Sequence, residues 1–192
     1  MPERVVVGAS GVFEARDRDS VHAAGTWHYC VHLFAVKDDR VYLQRRAKTR
    51  PRNPDRWTST VSGHITAEDA SFKQRLMINQ HAALVALDHE TREELRTSLD
   101  VHRSAKYLGE VNATSEGGGE TCNCTTFVFK IEVEDLPFSP TNEVIEVADF
   151  PVATITAGLA GTGLIGSDGN EHRFADNFAS VFQRLLNAEE DR

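Results

Sequence analysis

The sequence predicts one α/β sandwich built on a mixed sheet, and three observations lead to it. Strand-like segments come first, a long helical segment follows, and further strands precede a terminal helix. In the main helical stretch, Ala82 to Leu95, Leu84, Leu87, Thr91 and Leu95 fall near one stripe that can face a core. The length of 192 residues suits one domain with a good core. Residues 1–192 are therefore read as one unit, with an N-terminal strand or extension at 1–20 and a C-terminal helix at 171–192.

Val5 to Phe13 is an apolar run broken by glycine, an edge strand or hairpin, and ARDRDS after it is a polar connection. Trp27 to Val36 is rich in aromatic and β-branched residues and suits a buried strand. Asp38-Asp39 turns the chain, and Arg40 to Gln44 alternates as the returning strand. Arg45 to Trp57 holds two prolines and six basic residues, so it is a loop. That loop is either a solvated basic surface or a phosphate clamp, since arginine forks match phosphate oxygens. TSTVSGHI, ending at Ile65, is a short strand with a Gly-His turn.

Asp69 to Ile78 is an extra amphipathic piece, joined to the main helix directly or through a break. Leu99 to Val111 gives a short strand or two, Asn112 to Glu120 a flexible glycine-rich loop, and Thr125 to Val133 a strong strand. Pro137 to Asn142 is a turn and Glu143 to Phe150 another strand. Val152 to Ala157 is a short helix stopped by Gly158, with a loop from there to Asn170. Phe178, Phe182, Leu185 and Leu186 recur at helical spacing, so the C-terminal helix docks.

The net charge of −8 argues against broad binding to duplex nucleic acid, which needs a basic surface. It leaves room for a small phosphorylated ligand in a local basic pocket. No apolar run approaches a membrane span and MPERVVVGAS lacks a signal-peptide layout, so no membrane partner is expected. Cys30, Cys122 and Cys124 are too few, and odd in number, for a disulfide framework. A reducing, cytoplasmic setting is the expectation. Cys122-x-Cys124 also lacks the two pairs that a structural zinc site usually has.

Chemistry concentrates on the main helix. Glu90, Glu93 and Glu94 stand at i, i+3 and i+4, so three carboxylates crowd one patch. Spacing alone allows a solvated acidic face, partly neutralised by Arg92 and Arg96, or a site for Mg²⁺ or Mn²⁺, which prefer carboxylate oxygen.

His89 to Leu95, HETREEL, resembles the core of the Nudix box, G-x5-E-x7-R-E-U-x-E-E-x-G-U, with U aliphatic. Glu90 matches the Glu of R-E-U, and Glu93 and Glu94 match the E-E pair. His89 stands in place of Arg, Thr91 of an aliphatic and Arg96 of Gly, and the spacing back to Gly63 is too long. Further segments are similar to the isopentenyl diphosphate isomerase-like Nudix proteins. They are His22, Gly25 and His28, then Leu43-Gln44-Arg45-Arg46, Pro54, Trp57, Gly63-His64, NEVIEVADF from Asn142, and Arg173-Phe174. Those isomerases carry a catalytic cysteine where this chain has Ser62, and a Glu-x-Glu pair near Glu120 and Cys122, or Cys122 and Cys124.

The resemblance implies a Nudix-type α/β/α sandwich with a mixed sheet, and Mg²⁺ or Mn²⁺ held by Glu90, Glu93 and Glu94. Glu94 or Glu93 would act as base, with Glu143 a weaker extra ligand or base. Arg46 and Arg50 would bind diphosphate, with Arg45 and Gly63 beside them. His28 and His64 match metal-site histidines, and His22 is a potential third. A homodimer is common in such families. The implied function is metal-dependent hydrolysis of a diphosphate linkage in a small molecule, a nucleoside diphosphate-X or similar. The alternatives are a prenyl diphosphate isomerase, disfavoured by Ser62, and a catalytically weak Nudix-fold binding or regulatory protein.

Overall fold

Two apolar cores, one on each face of a central sheet, organise the computed structural model. It describes residues 3–72, 75–97, 99–117, 120–161 and 163–190, with backbone alone at 72, 117, 120, 189 and 190. An N-terminal hairpin of β1 (Arg4–Ala9) and β2 (Val12–Asp17) leads into α1 (Arg18–Ala23). The central pair β3 (His28–Lys37) and β4 (Arg40–Arg46) follows, then β5 (Trp57–Thr58) and β6 (Val61–His64). A small hairpin of β7 (Ser71–Phe72) and β8 (Arg75–Leu76) precedes α2 (Gln80–Leu95) and α3 (Val101–Ser104). The chain continues through β9 (Lys106–Gly117), β10 (Glu120–Glu132), β11 (Val144–Pro151) and α4 (Val152–Ala160). It closes with β12 (Leu164–Ile165), β13 (Glu171–His172) and α5 (Phe178–Glu190).

Among the described residues the main sheet has nine strands, with a path β11-β4-β3-β1-β2. β10 runs parallel to β3, whereas β4, β6 and β1 pair with β3 antiparallel, so the sheet is mixed as expected. Alternation along β3 divides the cores, because successive side chains point to opposite faces. Val31, Leu33 and Ala35 pack with Ala83, Ala86 and Leu87 of α2. Phe34 packs with Ile155 of α4 and Phe178 and Phe182 of α5. Helices thus cover both faces, which is the α/β/α arrangement.

Several local expectations are corrected. Part of ARDRDS is helical, because Asp17 caps α1 by accepting from Ser20 N at 3.0 Å. Of the two alternatives for Asp69 to Ile78, the described residues show the one with a break before the main helix. Asn79 accepts from Ala82 N at 3.0 Å and caps α2, so the helix begins at Gln80 behind the small hairpin. Asn112 to Gly117 lies in β9 instead of a loop: Thr114 donates to Asn123 and Thr125 to Asn112, so cross-strand pairing overrides the composition. Residues 118 and 119 and the side chain of Glu120 lie outside the described residues. Gly158 does not stop α4, which runs to Ala160. A Cβ there would meet Gly163 O at 2.6 Å, so the glycine permits close approach of the following loop. That loop contains the short β12–β13 pair.

Two departures in the acidic helix also acquire physical reasons. Thr91 is fully buried, and its hydroxyl donates to Leu87 O at 2.6 Å, so an i−4 bond satisfies it in the apolar stripe. Arg96, where the box has glycine, ends α2 in the left-handed conformation at φ 52°. That conformation strains any side chain with a Cβ. Arg96→Gly should raise the unfolding free energy by about 1 kcal/mol, read from the urea midpoint. An unchanged or lower midpoint would show that the Arg96 side chain offsets its strain.

Candidate metal and diphosphate site

A cleft of about 600 Å³ lies where β6, the N-terminal residues of α1, the basic loop and α2 meet. Strand alternation decides what faces it. On β4, Gln44 and Arg46 point toward α2, and Arg45 between them points to the other face. The Arg45 guanidinium is engaged by Asp55 at 3.0 Å, Glu146 at 2.9 Å, Asp168 at 3.0 Å and His172 at 2.6 Å. Arg45 is thus an internal cation of the α5 side, and its expected place at the diphosphate is corrected.

Glu94 is buried, and both of its hydrogen bonds fall on Oε2, from Gln44 Nε2 at 2.9 Å and Ser62 N at 3.0 Å. Burial is the main cause that pushes its carboxyl up to about 7, against those hydrogen bonds and Arg46. Glu90 is pushed up as well, first by burial and then by Glu94, Glu3, Glu93 and Glu143. Its carboxylate fills the space above Gly63, where a Cβ would meet Glu90 Oε1 at 1.8 Å. Gly63 lines the cleft and makes room there for Glu90. Glu93 is exposed and, with Glu90, lines the cleft, whereas Glu94 sits behind them.

Arg46 and Arg50 both line the cleft opposite this acidic face. Burial lowers the Arg46 pKa, while Glu94 supports its charge. Arg50 pairs with Glu143 at 2.7 Å. Arg18 and Arg52 also line the cleft, and Arg52 donates to Ser115 O and Oγ at 3.1 and 3.0 Å. Sequence reasoning missed Arg18, and with it Glu3, which bonds His64 Nδ1 at 3.0 Å and pairs with Arg18 at 3.3 Å. The N-terminal hairpin had no predicted position, so no local pattern could have brought them here.

The histidines sit on the opposite face from α2. His28, Cys30 and His32 alternate with Val31 and Leu33, and His64 pairs with Cys30. His22 of α1 completes the group, with ring centroids 5.0 to 5.2 Å apart across His22, His28 and His64. Burial lowers His22 to about 3 and His28 to about 4, with neighbouring histidines adding to the effect, so both rings are neutral at pH 7. Among the described residues, the groups with every ligand atom within 4.8 Å of the others are His22–His28–His64 and His28–Cys30–Cys122. The three glutamates are not such a group; His64 points to the other side of β6 from Gly63, yet lines the same cleft as Glu90 and Glu93. His89 Nδ1 lies 2.6 Å from Asp69 Oδ1, and Asp69 also accepts from Thr66 N and Oγ1. The inserted segment thus provides His89 with its carboxylate, in place of a box glutamate.

Solved structures share this arrangement of elements. DR0079 from Deinococcus radiodurans superposes with a TM-score of 0.62 at 15% identity, over 94% of this chain and 98% of that one. A MutT/nudix family protein from Enterococcus faecalis gives 0.59 at 14%, over 85% and 62%. A MutT NUDIX hydrolase from Burkholderia pseudomallei gives 0.54 at 14%, over 83% and 98%. This is the Nudix fold. In it, α2 carries Glu90 and Glu93 at the cleft, with Glu94 behind them. An isopentenyl-diphosphate Delta-isomerase from Rhodobacter capsulatus is 25% identical over 101 residues, 52% of this chain and 57% of that protein. The match thus spans little more than half of that isomerase. No protein-family model matches the sequence. No helix among the described residues is long and apolar enough to cross a membrane.

Proposed function

We propose that this Nudix-fold protein is a metal-dependent hydrolase that cleaves a diphosphate linkage in a small molecule, of the nucleoside diphosphate-X type or similar. The observation that carries the reading is the half-buried Glu90 and the buried Glu94, both raised first by desolvation and then by neighbouring carboxylates, beside a cleft lined by arginines. Carboxylates on successive turns of one helix suit Mg²⁺ or Mn²⁺, hard cations with a preference for oxygen. Glu90, Glu93 and Glu94 would hold the cation, which when bound offsets phosphate charge and acidifies water.

The side chains of the cleft account for the remainder. Arg46 and Arg50 hold diphosphate oxygens and steady charge on the leaving group. Glu93, exposed in the cleft, orients the attacking water and takes its proton. Glu143 keeps Arg50 in position through their 2.7 Å pair. Ser62 occupies the place of the isomerases' cysteine, and its hydroxyl is too weak an acid for their proton transfer, which favours hydrolysis over isomerisation. The three cysteines are free and buried, in keeping with reducing surroundings.

One observation favours a second reading, a Nudix-fold binding protein without turnover. His89 bonds Asp69 and leaves the box glutamates without the arginine that would position them. Mass spectrometry of products from nucleoside, sugar, coenzyme and prenyl diphosphates, each with Mg²⁺, Mn²⁺ or EDTA, separates the readings. We expect metal-dependent cleavage that a Glu93→Gln/Glu94→Gln double variant loses. Tight metal-dependent binding without cleavage would establish the second reading, and a shifted double bond with the diphosphate retained would reveal an isomerase.

A further inference from the structure

We propose that the Asp69–His89 pair is a specificity-determining receptor for a substrate hydroxyl, and that the group joined to the diphosphate in this cleft is a sugar. The inference rests on the hydrolase reading only in taking the cleft as the substrate site, and it names the class of compound held there.

The anchoring of the imidazole is the first ground. The Asp69 side chain is 2% exposed, whereas that of His89 is 49% exposed. Asp69 Oδ2 accepts from Thr66 N at 2.8 Å and from Thr66 Oγ1 at 2.7 Å, and Oδ1 faces His89 Nδ1 at 2.6 Å. A buried carboxylate with both oxygens in use as acceptors places the proton on Nδ1, so Nδ1 donates and Nε2 carries the lone pair. Among the described residues nothing bonds Nε2. A ring fixed from behind in this way presents one defined acceptor to whatever enters. Such an acceptor recognises O–H or N–H groups, and a bare phosphate oxygen has no hydrogen to give it.

Placement is the second ground. His89 lines the cleft with Glu90 and Glu93 of α2, and so do Thr66, Glu68 and Asp69 ahead of the β7–β8 hairpin. His89 and Glu93 stand at i and i+4 of the helix, so their Cβ atoms are about 5–6 Å apart on one face. Glu93 orients the attacking water, so a group that reaches His89 is the one bonded directly to the diphosphate.

The lining decides what that group is. Among the described residues no Phe, Tyr, Trp, Leu, Ile, Val or Met lines the cleft. A prenyl chain needs an apolar wall to leave water, and a nucleobase gains most from an aromatic stack. The described lining supplies neither. A sugar ring instead offers hydroxyls, which pair with an imidazole acceptor and with side chains such as Glu68 and Thr66.

The test is calorimetric affinity in Mg²⁺ for UDP-glucose, each monodeoxy analogue of its glucose ring, and geranyl diphosphate. Products are analysed by mass spectrometry on the same samples. We expect wild type to bind UDP-glucose about tenfold more tightly than at least one monodeoxy analogue, the effect of one lost hydrogen bond. His89→Asn should abolish that difference, because the asparagine amide still donates to Asp69 while Nε2 is removed. Geranyl diphosphate, which has no hydroxyl, should bind both proteins alike. Circular dichroism and thermal unfolding confirm that the variant folds. Equal affinity of wild type for UDP-glucose and all its monodeoxy analogues, which needs no variant to read, would overturn the proposal. So would a preference that survives in His89→Asn, the result expected if the pair only ties the β7–β8 hairpin to α2. The expected affinity ratios with no product formed would sink the hydrolase reading and leave this one standing.

Discussion

Replacing Glu94 with glutamine is expected to lower diphosphate hydrolysis about 10²- to 10³-fold and, in EDTA, to make the protein more stable above neutral pH. Glutamine keeps the shape and can still accept from Gln44 Nε2 and Ser62 N, so only the charge is lost. The folded-state pKa of Glu94, about 7, lies above the ordinary glutamate value of 4.5. The stability linked to this group is therefore fully present below pH 4.5 and is lost as pH rises through 7. Burying the ion costs roughly 3 kcal/mol at pH 8, from 1.36 kcal/mol per pKa unit. Urea unfolding of both proteins in EDTA at pH 5 and pH 8 reads this directly. The variant should match wild type at pH 5 and exceed it at pH 8, and saturating Mg²⁺ should restore the wild type. Equal stabilities at pH 8 would mean that the carboxylate is not held unneutralised. Unchanged turnover would remove Glu94 from the chemistry.

Gly63→Ala is expected to lower turnover about a hundredfold with little loss of stability. An added Cβ would stand 1.8 Å from Glu90 Oε1, 2.1 Å from Cδ and 2.5 Å from Cγ, so the Glu90 side chain must swing away. It is a flexible side chain beside an open cleft, so the protein can accommodate the methyl by rotation. Displacement of a reacting-centre group by about 1 Å costs on the order of a hundredfold. Turnover at saturating substrate and thermal unfolding together form the test. A large fall in melting temperature would place the defect in folding, and full activity would show that the position of Glu90 is not used.

By itself the sequence determined the layers and the acidic helix. The aromatic and β-branched content of Trp27 to Val36 and the helical spacing of Phe178, Phe182 and Leu185 reflect burial, which is a local property of each element. The spacing of Glu90, Glu93 and Glu94 is likewise fixed by the helix that carries them. Boundaries that depend on partners were not legible. Asn112 to Gly117 became strand only because β10 pairs with it, and Gly158 serves the packing of Gly163.

The division of the site was decided by tertiary structure alone. Arg45 and Arg46 are neighbours with one composition, yet the pleat of β4 sends one to Asp55, Glu146 and Asp168 and the other to the cleft. The same pleat in β6 points Gly63 at Glu90 and His64 at His22 and His28. Residue types name the chemistry a chain can carry, but only sheet register and the packing of distant segments determine which side chains share a pocket. That is why the Glu3–His64 and Asp69–His89 pairs, joining residues 61 and 20 positions apart, became visible only in the fold.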